Sequence, residues 1–199
     1  MHQKTILALN KNTFILFALT VLAVACNNPE KDSVEKADSA NKAYLDTALT
    51  HNMVVVDEES SAFLVKAANS NMTESKLAEL AQKKSQSPKI KSFSSMLLHD
   101  HSVLNDQMKS LAFQLKVILP DTIGHDEQKQ LAVLLLKKGS AFDKNFMEAV
   151  IKNHEEAIGL YEKALLNTKD PDVNSFADKT LMTLHMHLDS AKSIRSAIN

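Results

Sequence analysis

From Ser87 to Lys116 the chain places Ile90, Phe93, Leu97, His101, Leu104, Met108 and Leu111 at steps of three and four residues. Such steps put side chains on one face of a helix. The segment therefore predicts one long amphipathic helix, with His101 standing where the stripe calls for a leucine. Ser87 suits the cap, and Pro88 suits the first helical position, where a missing N–H costs nothing. The segment Asp170 to Ile198 repeats the plan, with Asp170 as cap, Pro171 first, and a stripe of Val173, Phe176, Thr180, Leu184, His187, Ala191 and Ile194. Both open on Pro-x-[Ile/Val]-x-Ser-Phe: Pro88 to Phe93 and Pro171 to Phe176.

Two more segments carry the same period. Residues 59–85 set Phe63, Ala67, Glu74, Leu77 and Ala81 on a face, and residues 140–167 set Phe146, Val150, His154, Ile158, Tyr161 and Leu165 on another. Their starts match as well, Ala62-Phe63 against Ala141-Phe142. A shorter helix is expected over 126–138, inside the long connection. Composition agrees, because 3 Gly, 4 Pro and 5% aromatic residues leave a chain rich in unbranched helix formers. Four long apolar stripes with two short links and one long connection predict an all-α, ferritin-like four-helix bundle over 59–199, made of two related hairpins. Asn69-Ser70-Asn71 is expected to kink or break the first long helix, with Asn71 and Glu74 forming a capping box where it restarts. Ser140 and Asp143 read as the same box opening the third, with Asp143 as cap residue.

The N-terminus reads as an address. Lys4 and Lys11 precede an apolar, uncharged run from Thr13 to Val24, which ends in Ala25-Cys26. About 12 apolar residues are too few to span a bilayer as a helix, and charge, short apolar run and small residues make a secretory signal. Cys26 is the only cysteine and directly follows those small residues. This resembles a lipobox, with residues 1–25 as signal peptide and Cys26 as the lipidated residue that ties the protein to a membrane. The polar stretch to residue 58 is expected to be a tether, with a weak helix over 33–49. The formal net charge of -1 comes without a basic stripe, so nucleic acid is not an expected partner. A single cysteine rules out an intramolecular disulfide framework or a cysteine zinc site.

Glu74, His101, His154 and His187 each interrupt an apolar stripe, one per long helix. Glu74 lies 11 residues after Phe63 and His154 lies 12 after Phe142; His101 and His187 lie 13 and 16 after Pro88 and Pro171. The offset is about one turn, so the four are expected near the bundle midpoint. One carboxylate and three imidazoles suit a divalent cation such as zinc, iron or manganese. They equally suit a polar network in which buried groups satisfy one another. Asp100 and Asp143 are read as supporting or capping groups, Asp100 as one that orients a histidine. A di-iron carboxylate site needs Glu-x-x-His; three residues before the histidines stand Leu98, Ile151 and Leu184, so ferroxidase chemistry is not expected. The scattered methionines read as core filler. No phosphate loop or serine nucleophile pattern is present, so no catalytic residue is assigned.

Residues Ala62 to Ala68, Met72-Thr73-Glu74, Phe93 with Asp100-His101, Leu119-Pro120, Phe142-Asp143, His154, Thr180-Leu181 and His187-Leu188 together resemble the bacterial family called domain of unknown function 4142. The likeness runs from about Ser60 to Ile198. It implies a ferritin-like bundle in an exported or outer-membrane protein, with Glu74, His101, Asp143, His154 and His187 at family motif positions. It implies no reaction. The expectation is a periplasm-facing or outer-membrane lipoprotein with a binding or interaction role, or else a metal-binding protein with its site in the bundle core.

Overall fold

The computed structural model describes residues 31–198 apart from Asn52 and Val54. The expected signal peptide, the lipidation site at Cys26 and the start of the tether lie outside the described residues. Six helices follow in order: α1 (Ser33–Thr50), α2 (Glu58–Lys84), α3 (Pro88–Leu115), α4 (His125–Leu135), α5 (Gly139–Asn167) and α6 (Pro171–Ala197). The described residues contain no strand.

The long helices begin where the sequence supplies acceptors. Ser87 Oγ accepts from the Ile90 N–H at the head of α3, and Asp170 Oδ1 accepts from the Asp172 and Val173 N–H groups at 3.0 Å each. Asp57 caps α2 through Ser60 and also accepts from the Lys169 N–H at 3.2 Å. One carboxylate thus joins the start of the first hairpin to the turn of the second. α2 and α3 pair antiparallel, as do α5 and α6; α2 packs on α5, and α3 on α6. The long connection carries α4 along the bundle and lets α5 run parallel to α3, giving the expected all-α, ferritin-like arrangement.

Two apolar clusters fill the bundle. Near the start of α2 lie Phe63, Tyr161 and Phe176, with Leu104, Met108 and Leu188. Near its end lie Leu77, Ile90, Leu97, Phe142 and Phe146. Phe63 meets Tyr161 edge to face at 4.9 Å, a favoured arrangement of opposed quadrupoles. His101, His154 and His187 sit at the boundary, with Leu97, Val150 and Ala191 on one side and Leu104, Ile158 and Leu184 on the other.

Several sequence expectations need correction. α2 is continuous through Asn69-Ser70-Asn71, so Asn71 and Glu74 form no capping box. Packing on both neighbouring helices outweighs the weak propensity of three small polar residues. α5 starts at Gly139 with Lys138 at its cap, and no side chain caps it. Asp143 is therefore not a helix cap, and its Oδ1 is buried without a partner among the described residues. Met182 is 77% exposed and Met186 lies half exposed, so not every methionine is core filler.

The weak helix expected over 33–49 within the tether is present and is docked on the bundle. Residues 33–50 form α1, opened by a complete capping box between Asp32 and Glu35. α1 packs on α2 and buries Ala37 and Ala48. Asn41 clamps it to the segment after α3: its Nδ2 donates to the Ile118 carbonyl at 2.8 Å and its Oδ1 accepts from the Ile118 N–H at 2.7 Å. Asn41→Ala should remove both bonds and lower unfolding stability by about 1–2 kcal/mol, read by urea denaturation, with faster proteolysis between α1 and α2. An unchanged midpoint and cleavage rate would show α1 to be a loose tether after all.

Candidate metal centre

Each of the three histidines has one ring nitrogen held by an acceptor outside the cluster. His101 Nδ1 lies 2.9 Å from Asn71 Oδ1. The Asn71 amide is oriented by its other end, because Nδ2 donates to the His101 carbonyl at 3.0 Å. Oδ1 must then face the ring, and His101 Nδ1 carries the proton. His154 Nδ1 lies 2.9 Å from the Val150 carbonyl, which only accepts, so this nitrogen is also protonated. His187 Nε2 lies 2.9 Å from Asp100 Oδ2, and a carboxylate there fixes the proton on Nε2.

A neutral imidazole has one proton. The opposite nitrogens, His101 Nε2, His154 Nε2 and His187 Nδ1, therefore present lone pairs. One ligand atom from each ring lies within 4.8 Å of one from every other. The ring centroids form a near-equilateral triangle, 5.4 to 5.7 Å on a side. His154 Nε2 and His187 Nδ1 stand 3.3 Å apart, and His101 Nε2 has no hydrogen-bond partner among the described residues.

Burial sets the electrostatics. The three rings are 0–2% exposed. Burial holds His101 well below the usual histidine range, and the neighbouring His154 and His187 add to it. Burial, with His187 alongside, lowers His154 to about 4. His187 is lowered by burial too, against the pull of Asp100. The cluster is therefore neutral near pH 7, the form in which imidazoles bind metals.

Of the expected quartet, the structure brings the three histidines together and leaves Glu74 to one side. Its Oε2 lies 3.6 Å from His154 Nδ1, the protonated nitrogen, facing away from the lone pairs. Both carboxyl oxygens are buried without a hydrogen-bond partner among the described residues. Burial pushes Glu74 up to about 8, slightly offset by Asn153; it is mostly protonated at neutral pH. Asp100 is at the surface end of the site, its side chain 25% exposed. It orients His187 from across the α3–α6 seam rather than its sequence neighbour His101. Asn71 and the Val150 carbonyl were not anticipated. The sequence signal for Asn71 was its place three residues before Glu74 on the α2 core face, where its small polar neighbours made it look like a helix breaker.

The family comparison adds the lineage. The family described as Domain of unknown function (DUF4142) matches residues 46–194. The chain belongs to this family. No curated protein matches it. Among solved structures, a DUF305 fragment from Deinococcus radiodurans superposes with a TM-score of 0.65 at 13% identity, covering 72% of this chain and 99% of that one. CopM in its Cu(II)-bound form superposes with a TM-score of 0.60 at 19% identity, over 69% of this chain and 96% of that one. CopM in the apo form gives 0.58 at 18%, over 69% and 96%. At these identities the likeness is one of fold.

The buried groups predict an unusual pH profile for the metal-free protein. Glu74 has a raised folded value, so it binds its proton more tightly folded than unfolded. Its contribution is full below the unfolded value of 4.5 and is lost as pH rises through about 8. His101 and His154 have depressed values, so their contribution is present above 6.5 and lost as pH falls toward 4. Above about pH 7.5 the unfolded histidines are neutral as well, so Glu74 alone sets the slope among these groups, and stability should fall with pH, by at most ~1.4 kcal/mol per pH unit. Glu74→Gln should flatten that limb in urea titrations. A wild-type profile that is already flat from about pH 7.5 to 8.5 would contradict this assignment.

Proposed function

We propose that this is a metal-binding lipoprotein of the cell envelope, in which His101, His154 and His187 hold one late transition-metal ion, Cu(II) or Zn(II), in the bundle core. The observation that carries the reading is the inward convergence of three lone pairs whose rings are each anchored by a donor bond on the far side. Metal-ligating histidines have this second-shell arrangement, and it fixes both tautomer and ring direction. For metal–nitrogen distances of 2.0–2.1 Å, tetrahedral geometry puts ligand nitrogens about 3.3 Å apart. The His154–His187 separation of 3.3 Å fits that edge.

The donor set narrows the ion. Three imidazole nitrogens without a carboxylate favour copper or zinc over manganese, which prefers oxygen. Affinities at such a site generally rank Cu(II) above Zn(II). The fold neighbour CopM, described with bound copper, supports the copper assignment. Asp100 supplies negative charge beside an otherwise neutral site, and Asn71 and the Val150 carbonyl hold their rings. The ion would sit between two apolar clusters, with a polar cavity lined by Asn71, Asn105 and His101 on the α2–α3 side. Attachment to a membrane through Cys26, with the bundle in the periplasm or on an outer membrane, rests on the sequence of residues 1–26.

Protein purified without an affinity nickel column, then dialysed against Cu(II) or Zn(II), should retain one ion per chain by elemental analysis. His101→Ala and His187→Ala should each abolish retention. Asp100→Asn should weaken affinity by about 10–100-fold while leaving stoichiometry intact. Saturation at 100 times Kd should stabilise the fold by about 2.7 kcal/mol, and EDTA should reverse it. A stoichiometry unchanged in His187→Ala, or metal-free protein whose melting ignores both ions, would overturn the reading.

A further inference from the structure

The end of the bundle that carries the α2–α3 turn gathers charge that is dispersed in the sequence. Lys83 and Lys84 end α2, Lys89 and Lys91 begin α3, and Lys137 and Lys138 follow α4. Four contacts bring these elements together. Lys84 Nζ donates to the Leu135 carbonyl at the end of α4 and lies 5.5 Å over the Phe142 ring of α5. Gln82 of α2 donates to the Lys91 carbonyl. Leu134 is buried in the apolar cluster with Ile90, Phe93 and Phe142. At the same end, Glu148 is paired with Arg195 at 2.6 Å. A chain of formal net charge -1 thus has one strongly basic end.

Apolar side chains stand within that basic rim. The last turn of α4 reads Val133-Leu134-Leu135-Leu136, and only Leu134 turns inward. Leu136 is 81% exposed, Val133 57% and Leu135 53%. Solvent exposure of three branched aliphatics side by side is unfavourable unless something covers them. Lysines around exposed leucines match an anionic bilayer: the apolar residues enter the acyl boundary and the ammonium groups meet lipid phosphates. The composition argues against nucleic acid, which is held by arginine forks and stacked aromatic rings. Here all six cations are lysines and Phe142 is fully buried.

We propose that this end of the bundle docks on an anionic lipid surface, with Val133, Leu135 and Leu136 as the inserted knuckle and the lysines of α2, α3 and the α4–α5 link as the rim. The proposal is independent of the metal centre and adds a second contact to any lipid anchor.

The test is flotation of the full chain carrying Cys26→Ser, so that no acyl group contributes, with phosphatidylglycerol vesicles or with phosphatidylcholine vesicles. Binding to the anionic vesicles should be at least ~10-fold tighter and should weaken with salt. Leu135→Ser/Leu136→Ser should reduce it about tenfold or more, as should Lys137→Glu/Lys138→Glu. Lys83→Gln/Lys89→Gln should cause a loss in the same direction from outside α4. All these side chains are on the surface, so melting temperatures should stay with the parent. Variants that float like the parent, or equal binding to both vesicles, would overturn the proposal. So would tighter binding to a DNA oligonucleotide that the leucine variant leaves unchanged.

Discussion

Lone pairs facing one another inside an apolar core are the constraint around which this bundle is arranged. His154 Nε2 and His187 Nδ1 meet across 3.3 Å, and His101 Nε2 completes the triangle without a protein donor among the described residues. Unpaired buried acceptors cost stability. A proton between two of the rings would relieve one pair, but burial drives all three histidines toward the neutral form and the third nitrogen would remain unpaired. One cation at the centre satisfies all three at once. That asymmetry between proton and metal ion is the physical core of the proposed function.

The fold serves the triangle by supplying rigid outer contacts. Each ring is set from a different direction: Asn71 on α2 holds His101 of α3, the Val150 carbonyl one turn back holds His154 of α5, and Asp100 of α3 holds His187 of α6. Of these contacts the Asp100–His187 bond passes from one hairpin to the other and ties them together at the site, between the two apolar clusters. Glu74 belongs to the same polar layer but lies behind His154. Its raised carboxyl value marks a neutral acid kept in the core, at a cost in stability that a purely structural design would avoid.

Much of this architecture was legible in the sequence because helix period is a strong local signal. Pro88 and Pro171 marked two starts to within a residue, and histidines interrupting three apolar stripes pointed to a shared layer. The errors came where tertiary contacts override local preference. Asn69-Ser70-Asn71 reads as a breaker, yet packing carries α2 through it and turns Asn71 into the group that orients His101. Glu74 shares the stripe register of the histidines, but register specifies the level on a helix, not which nitrogen of a neighbour a carboxylate meets. The weak helix expected over 33–49 is present as α1, but its docking was not legible, because it depends on Asn41 meeting Ile118, 77 residues away. The basic end is likewise invisible to a linear reading, since its lysines come from three separate segments.

The central claim is that three imidazole nitrogens, and no other protein ligand type, surround one ion. X-ray absorption spectroscopy at the metal edge of the copper- or zinc-loaded full chain tests it directly. The account predicts a first shell of nitrogen or oxygen at about 2.0–2.1 Å with the outer-shell scattering of three imidazole rings. A shell containing sulfur at about 2.3 Å, or one lacking imidazole scattering, would contradict it.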